Sequence, residues 1–598
     1  MKLSKLYSNM PDLFAPVQFL PGLNVVLAEI RLPENKLKDT HNLGKTTLGR
    51  LIDFCLLSTR DKEFFLFKHF DLFKDFVFFL EVELLDGPFI TIRRGVEEAT
   101  KISIKRHDQP FRDFGDLPDV SWDHLAVPFD KAQKLLDGML DLRDLKPWPY
   151  RKIIGYLLRT QADFGEVFHL RRFKGKHADW KPFLAHLLGF DAQSIVKHYE
   201  KEAELARKVS DEDLIKKELG GSIEDISRIE GMQLLKQNEA DKKERLLDAF
   251  DFRQIDKDKT KIVVDELDAG IARLNTERYS LSMNKKKIMA SIADDEMLFD
   301  PKKASELFGE AGILFGGQIK RDFEQLLAFN RAITEERRGY LKEELEEIKA
   351  DLKRVNTELN KLSKRRSEAL SFLSGSDAFI KYKRATDDLV TLRSEIATLD
   401  RQRGYLHKLQ DLRAKIRSLK EEKRKLQNKI EANVEKQNTD RESQFSKIRV
   451  LFNEIVEEVI DRKALLSVSP NQKGHLEFKA EILDDLDKAT SADLGFTYRK
   501  LLCIALDTAL LRAHIDGQFP RFVFHDGVFE SLDDRKKENL LGVIRSHADL
   551  GIQHIITLID SDLPGRPGDA EPVFDEAEIV LGLHDENDSG RLFKMRAW

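Results

Sequence analysis

Asp39-Thr40-His41-Asn42-Leu43-Gly44-Lys45-Thr46-Thr47-Leu48 follows an apolar run, Leu23 to Ile30, and leads into Leu48, Leu51, Ile52, Phe54 and Cys55 at helical spacing. Strand, Gly-Lys-Thr loop and helix is the layout of a phosphate-binding P-loop. Holding a polyphosphate requires successive backbone N–H groups and the positive end of a helix aimed at the ligand. A lysine must reach the outer phosphates and a hydroxyl must hold Mg²⁺. Gly44, Lys45 and Thr46 are the residue types for those tasks. One position departs: the pattern places glycine five residues before Gly44, where this chain has Asp39. The rest of the chain has to decide the matter.

The 598 residues exceed one core, so several folding units are expected. Charged residues reach 34%, yet the net charge is only −5, so the excess is mixed in sign. That pattern predicts long solvated helices rather than an acidic tail. Cys55 and Cys503 both lie in apolar helical runs, and no Cys-x-x-Cys occurs. This excludes a disulfide framework and a cysteine zinc site, and points to a reducing cytoplasm. No apolar run reaches the ~20 residues of a membrane span, and Met1 to Leu20 lacks a signal-peptide pattern.

Residues 1–190 read as a mixed α/β lobe. Val17 to Phe19 and Leu23 to Leu27 are short strands separated by Pro21-Gly22. Phe76 to Leu84 and Phe89 to Ile92 form a hairpin turning at Asp86-Gly87-Pro88. The phenylalanine-rich stretch from Phe64 to Phe79 reads as core packing. Ile153 to Arg159 is expected to be a helix, running into Thr160-Gln161-Ala162-Asp163-Phe164.

Residues 191–440 change character. Leu341-Leu345-Ile348-Leu352-Val355-Leu359-Leu362 is a sustained apolar stripe between charged flanks, continued by Val390-Leu392-Ile396-Leu399 and Leu412-Ile416-Leu419-Leu426-Ile430. Such stripes predict a coiled coil. Breaks fall near Phe250 to Arg253, across 294–318, and at Leu373-Ser374-Gly375-Ser376. One reading is an antiparallel hairpin with its tip near 300–318 and a paired elbow at 250 and 374. Each arm, about 105–120 residues, would extend up to roughly 160–180 Å if fully helical. The rival reading puts the tip at 373–377, with an earlier segment folded back.

Globular character returns over 441–598. Ser446 to Val459 is an amphipathic helix, His475 to Ile482 alternates like a strand, and Leu501 to Leu511 is an apolar helix. Pro520-Arg521-Phe522-Val523-Phe524-His525-Asp526-Gly527 is a buried strand ending in a carboxylate. It supplies the second half that an ATP site needs. His554 to Ile559 is another buried strand, followed by Ala577 to Leu583 and an edge strand over Arg591 to Trp598.

P-loop, long coiled coil, polar loop and helix, strand ending in Asp526, then Leu532-Asp533: this order resembles the SMC, RecF and RecN class of ABC ATPases. There the two sequence ends form one P-loop ATPase head, and a coiled-coil hairpin projects from it. Phe19-Leu20-Pro21-Gly22-Leu23-Asn24-Val25-Val26 also resembles the strand that precedes the P-loop in that class. The resemblance implies ATP and Mg²⁺ as ligands. Asn42, Gly44, Lys45, Thr46 and Thr47 match the P-loop, with Lys45 on the phosphates and Thr46 on Mg²⁺. Gln161 resembles the glutamine that senses Mg²⁺ and the γ-phosphate, and Asp526 matches the second magnesium-site acid. Asp533 matches the loop that reaches across a head dimer. Gly495-Phe496-Thr497-Tyr498 occupies the place of the signature motif but not its Ser-Gly-Gly-Gln/Glu sequence; Gly495 and Thr497 are the candidates for holding the partner's phosphate.

Two departures bear on mechanism. Gly527 stands where the class has the glutamate that polarises the attacking water, and Glu530 is the nearest carboxylate. The switch histidine is also missing, with Ile559-Asp560 near its place. Slow hydrolysis, or ATP used mainly as a dimer clamp, is therefore the expectation. Asp39 to Thr47 and Gly495 to Lys500, with Phe524-His525-Asp526-Gly527, are similar to a group of bacterial SMC-like ATPases associated with three-component conflict systems. That resemblance implies a homodimer through the heads, a small middle protein and an effector encoded nearby, and a role in anti-phage defence. Double-stranded DNA is a candidate partner, although Lys361 to Arg366 and Lys420 to Lys425 read first as solvated faces. Two alternatives stay open: a DNA-repair or chromosome-organising ATPase, and a non-catalytic coiled-coil scaffold with a degenerate nucleotide site.

Overall fold

The computed structural model describes residues 1–32, 43–170, 175–219, 225–248, 257–293, 317–370, 377–484, 488, 495–564, 572–596 and 598. The chain divides into two units: Met1–Glu202 with Glu421–Trp598, and Ala203–Lys420. Asn42, Asp39 and the segment 33–38 lie outside the described residues. So do the elbow positions 250 and 374 and most of the proposed tip.

The first unit is built on two larger sheets. Strands β1 (Lys2–Ser8), β2 (Val17–Gln18), β4 (Val77–Glu83), β5 (Phe89–Gly95), β6 (Lys101–His107) and β7 (His124–Pro128) pair antiparallel in the order β2-β1-β4-β5-β6-β7. The expected hairpin is there, and Gly87 takes the positive φ its turn requires. The second sheet is all parallel, in the order β13-β3-β12-β11-β8. Its members are β3 (Leu23–Glu29), β8 (Leu158–Arg159), β11 (Phe522–His525), β12 (Gln553–Ile559) and β13 (Ile579–His584). β11 is buried along its whole length, and the near-continuous apolar sequence of β3, β11 and β12 is what a sheet covered on both faces requires. Strand β3 thus sits between two strands from the far end of the chain. Gln553 stitches the sheets together, bonding the amide and carbonyl of Leu3 at 2.8 Å each and the Leu20 carbonyl at 2.7 Å. A third, two-stranded sheet pairs β9 (Ala464–Pro470) with β10 (Leu476–Ile482).

Helix α1 (Lys45–Cys55) packs Leu48, Leu51, Ile52, Phe54 and Cys55 inward at the predicted spacing. Gly49 lets it approach the sheet: a Cβ there would lie 2.6 Å from the Phe524 ring. The phenylalanines over 64–79 pack as expected, joined by Phe593 and Trp598. That contact corrects one expectation. Residues 591–596 form no strand; one bond ties Leu592 N to Leu43 O, while Phe593 is sunk among rings rather than alternating on a sheet edge. A second correction concerns Ile153 to Arg159. The helix Arg151–Leu157 stops early, and Leu158-Arg159 becomes β8 because the edge of β11 recruits it, Phe524 opposite Leu158.

Four helices dominate the second unit; numbered after α1 they are α2 (Ile226–Asp248), α3 (Lys257–Ala293), α4 (Gly317–Ala369) and α5 (Asp377–Thr439). Helices α2 and α5 run antiparallel, joined by Lys236–Glu395 and Lys243–Asp388, both 2.5 Å. Helices α3 and α4 do the same through Asp268–Arg366 at 2.8 Å and Glu277–Arg354 at 3.2 Å. Both pairings agree with an antiparallel hairpin. Yet α3 also lies along α5: Arg401 Nη1 donates to Ser280 Oγ at 3.3 Å. In an extended two-stranded arm these residues would be about 50 positions out of register, roughly 75 Å apart. Leu247, Val264, Leu370 and Tyr382 share one cluster, so the flanks of the two breaks do meet. The chain doubles back there, and the extended arm is replaced by a bundle with a folded-back inner pair. The sequence supplies the reason. Leu389 and Val390, about 100° apart around one helix, cannot both face a single partner; Leu389 packs with Ala240 of α2, and Val390 with Ile271, Val355 and Leu359 of α3 and α4. No helix among the described residues is long and apolar enough to cross a membrane.

Candidate nucleotide site

Gly44 precedes α1 with a φ of 105°, which suits glycine, and a Cβ there would strike Leu592 at 2.6 Å. Lys45, Thr46 and Thr47 then form the first turn of α1, all half-buried. Thr46 Oγ1 donates to Asp526 Oδ2 at 2.5 Å, although 480 residues separate the two in sequence. Asp526 directly follows β11 and is fully buried; its other oxygen, Oδ1, accepts from Thr557 Oγ1 of β12 at 2.6 Å. The same Thr557 hydroxyl accepts from Gly527 N at 3.0 Å. Burial holds the Lys45 amine below the usual lysine range, against the attraction of Asp526, Glu530, Asp562 and Asp560.

Gly527 takes φ 65°, and its missing side chain is used. A Cβ there would lie 2.7 Å from the carboxyl carbon of Glu530 and 2.8 Å from Nε2 of Gln161. Glu530 therefore folds back over Gly527, and Gln161 Nε2 donates to its Oε1. Burial raises the Glu530 carboxyl above its ordinary value, opposed by Lys500 and Lys45 and reinforced by Asp562 and Asp526.

Gln161 is placed by what precedes it. Thr160 and Asp163 form a capping box, with the Asp163 carboxylate accepting from Thr160 N at 3.0 Å and Oγ1 at 2.8 Å. Arg159, fully buried, grips Asp507 at 2.5 and 3.0 Å and donates to the carbonyls of Asp163, Glu166 and Val167. Asp507 belongs to the helix Phe496–Ala513, so the turn holding Gln161 is tied to that helix.

Gly495 is the N-cap of that helix and Thr497 lies half-buried in its first turn. Asp533 caps the helix Asp534–Asp549, accepting from Lys536 N at 3.1 Å. Among the described residues these three share no hydrogen bond with the Thr46–Asp526 cluster. Lys500, Thr557 and Asp562 face the site and were not singled out from sequence. A lysine opening an otherwise apolar helix, Leu501 to Leu511, was the available signal for Lys500. A threonine inside an apolar strand was the signal for Thr557.

The donors fit Mg-ATP. No cluster of three or more His, Cys, Asp or Glu among the described residues could hold a metal alone. Mg²⁺ in phosphate sites asks for less: one or two protein oxygens, the remainder coming from water and the nucleotide. A hydroxyl and a carboxylate 2.5 Å apart at a helix N-terminus, beside a lysine, meet that requirement.

Residues 455–597 match a family model described as an uncharacterised protein conserved in bacteria (DUF2326). Among solved structures the chain is similar to the Smc head domain with a coiled coil and joint from Pyrococcus yayanosii, at 14% identity and TM-score 0.34, over 93% of this chain and 92% of that one. It is also similar to the Smc head domain with an extended coiled coil, bound to the C-terminal domain of ScpA, from Pyrococcus furiosus. There the identity is 11% and the TM-score 0.35, over 94% and 90% of the two chains. No curated protein gives a significant match.

Proposed function

We propose that this chain is an SMC-like ATPase whose head binds and slowly hydrolyses Mg-ATP. One observation carries the reading: Thr46, at the start of a Gly-Lys-Thr helix, meets Asp526, at the end of a buried parallel strand. Lys45 and the N–H groups of the first α1 turn hold the phosphates, and Thr46 and Asp526 hold the metal. When bound, Mg²⁺ neutralises charge on the phosphoryl group being transferred. Glu530, oriented by Gln161, positions a water and takes its proton, the task the missing glutamate performs in the class this chain resembles.

The finer role follows the resemblance of the P-loop and Gly495–Gly527 patches. Two heads close on ATP, with Gly495, Thr497 and Asp533 turned to the partner's nucleotide. Closure senses or clamps DNA and governs partner proteins in anti-phage defence.

The test of the core reading is nucleotide binding. Wild type gains thermal stability with Mg-ATP, and Lys45→Ala does not. An equal shift in both, or none in wild type, removes the assignment. Copurification with the products of neighbouring genes, with and without DNA, tests the finer role.

A further inference from the structure

Lys500 is 1% exposed and sits on the second turn of the helix Phe496–Ala513. Its ammonium has three oxygen neighbours, all on one short loop. Nζ donates to Gly527 O at 2.7 Å and to Glu530 O at 3.1 Å, and lies 3.8 Å from Glu530 Oε2. Burying a lysine is unfavourable unless its donors are satisfied, so this one is held where it is by the loop it grips. Both ends of the turn are pinned, Gly527 and Glu530, together with the side chain that Gly527 makes room for. The near end of the loop is also fixed at Thr557, whose carbonyl accepts from Gly527 N at 3.1 Å and Val528 N at 3.3 Å, with Val528 and Phe529 fully buried; at the Glu530 end the tie is Lys500 and Gln161. Glu530 N reaches Gly527 O at 3.3 Å, and Ser531 adopts a φ of 66°, a left-handed conformation that a serine takes only when its surroundings enforce it.

We propose that Lys500 is a positioning residue for Glu530: it clamps residues 527–530 so that the Glu530 carboxylate occupies the space vacated at Gly527, beside Gln161. This inference rests on the ATPase reading above. Lys500 touches neither Thr46 nor Asp526 among the described contacts, so its effect is on turnover and not on nucleotide capture. The clamp also makes the helix carrying Gly495 and Thr497 a direct determinant of where the water-orienting carboxylate lies.

The experiment is a double-mutant cycle on the full chain, read in two ways. Amide hydrogen exchange without nucleotide reports the loop itself: Lys500→Met speeds exchange across 527–532 by about tenfold or more, whereas Glu530→Gln, which keeps both carbonyl contacts, leaves it within about threefold. Kinetics report the consequence. Lys500→Met lowers kcat by about 10–100-fold with the ATP Kd within about threefold, and the same change in a Glu530→Gln background costs less than about threefold. Lys500→Gln, which keeps an N–H donor without the charge, carries the same cycle should the methionine variant not fold. Unchanged exchange over 527–532 overturns the clamp. Equal kcat losses in both backgrounds show Lys500 acting independently of Glu530 and overturn the positioning role. A wild type that neither binds nor hydrolyses ATP fails the underlying reading instead, and the exchange measurement then stands alone.

Discussion

Gly527 and Glu530 share one small volume, since a Cβ on Gly527 would come within 2.7 Å of the Glu530 carboxyl. Gly527→Glu, which would supply the side chain found there in the class that the sequence resembles, is therefore expected to lower turnover. It adds strain at φ 65°, about 1–2 kcal/mol for a non-glycine residue, and expels Glu530 from its place. ATP hydrolysis falls about tenfold or more, and the Mg-ATP thermal shift is retained. Faster hydrolysis by Gly527→Glu would show that Glu530 is not the working carboxylate.

Asp507 neutralises the fully buried Arg159, and Asp507→Ala leaves that guanidinium charged without its partner. The expected cost is about 3–5 kcal/mol, read as a large drop in the unfolding midpoint in denaturant. A loss below about 1 kcal/mol would mean that water reaches Arg159.

Asp268 gives the folded-back pair a pH dependence. Burial, with Asp265 and Asp387 nearby, pushes its carboxyl up to about 6, against the pull of Arg366. Arg366 Nε comes within 2.8 Å of Oδ1 but is not aligned for a hydrogen bond. An acid whose pKa is raised by folding stabilises most when protonated, so this contribution is lost as pH rises through about 6. Lowering pH from 7.5 to 5 is expected to stabilise the helices of this unit by about 1 kcal/mol. Asp268→Asn should abolish that gain and raise stability at pH 7.5. Circular dichroism melts of both proteins across this range decide it; a pH slope as steep in Asp268→Asn as in wild type refutes the assignment.

Ser280 and Arg401 provide a ruler. Spin labels at the two positions should read less than about 25 Å if the inner pair folds back, against roughly 75 Å for an extended two-stranded arm. Addition of ATP or DNA then reports whether the fold-back is permanent.

Local pattern carried most of the first unit. The Phe76–Leu84 hairpin, the strands around Val25 and Phe524 and the helix after Gly44 all follow from runs of apolar residues and the turns that bound them. The pairing of Thr46 with Asp526 was legible only as two halves of one requirement, because sequence gives no distance across 480 residues. Leu158-Arg159 became a strand through a neighbour 366 residues later, information absent from its own composition. In the second unit, apolar stripes identified the helices, but charge and periodicity are the same for an extended and a doubled hairpin. The adjacent Leu389-Val390 pair, buried on two sides, distinguishes them. Lys500 and Thr557 escaped notice because a single polar residue in an apolar element gives no direction to its side chain.

Strand β3 has a consequence for how the molecule is made. Its neighbours on both sides, β12 and β13, leave the ribosome more than 500 residues after it. At typical elongation rates that is a wait of roughly half a minute to two minutes. The antiparallel sheet can assemble from early chain alone, whereas Leu23 to Glu29 must remain an unpaired apolar strand, open to pairing with the wrong chain, throughout that interval. A nascent-chain chaperone that covers apolar strands during synthesis would find this segment a target.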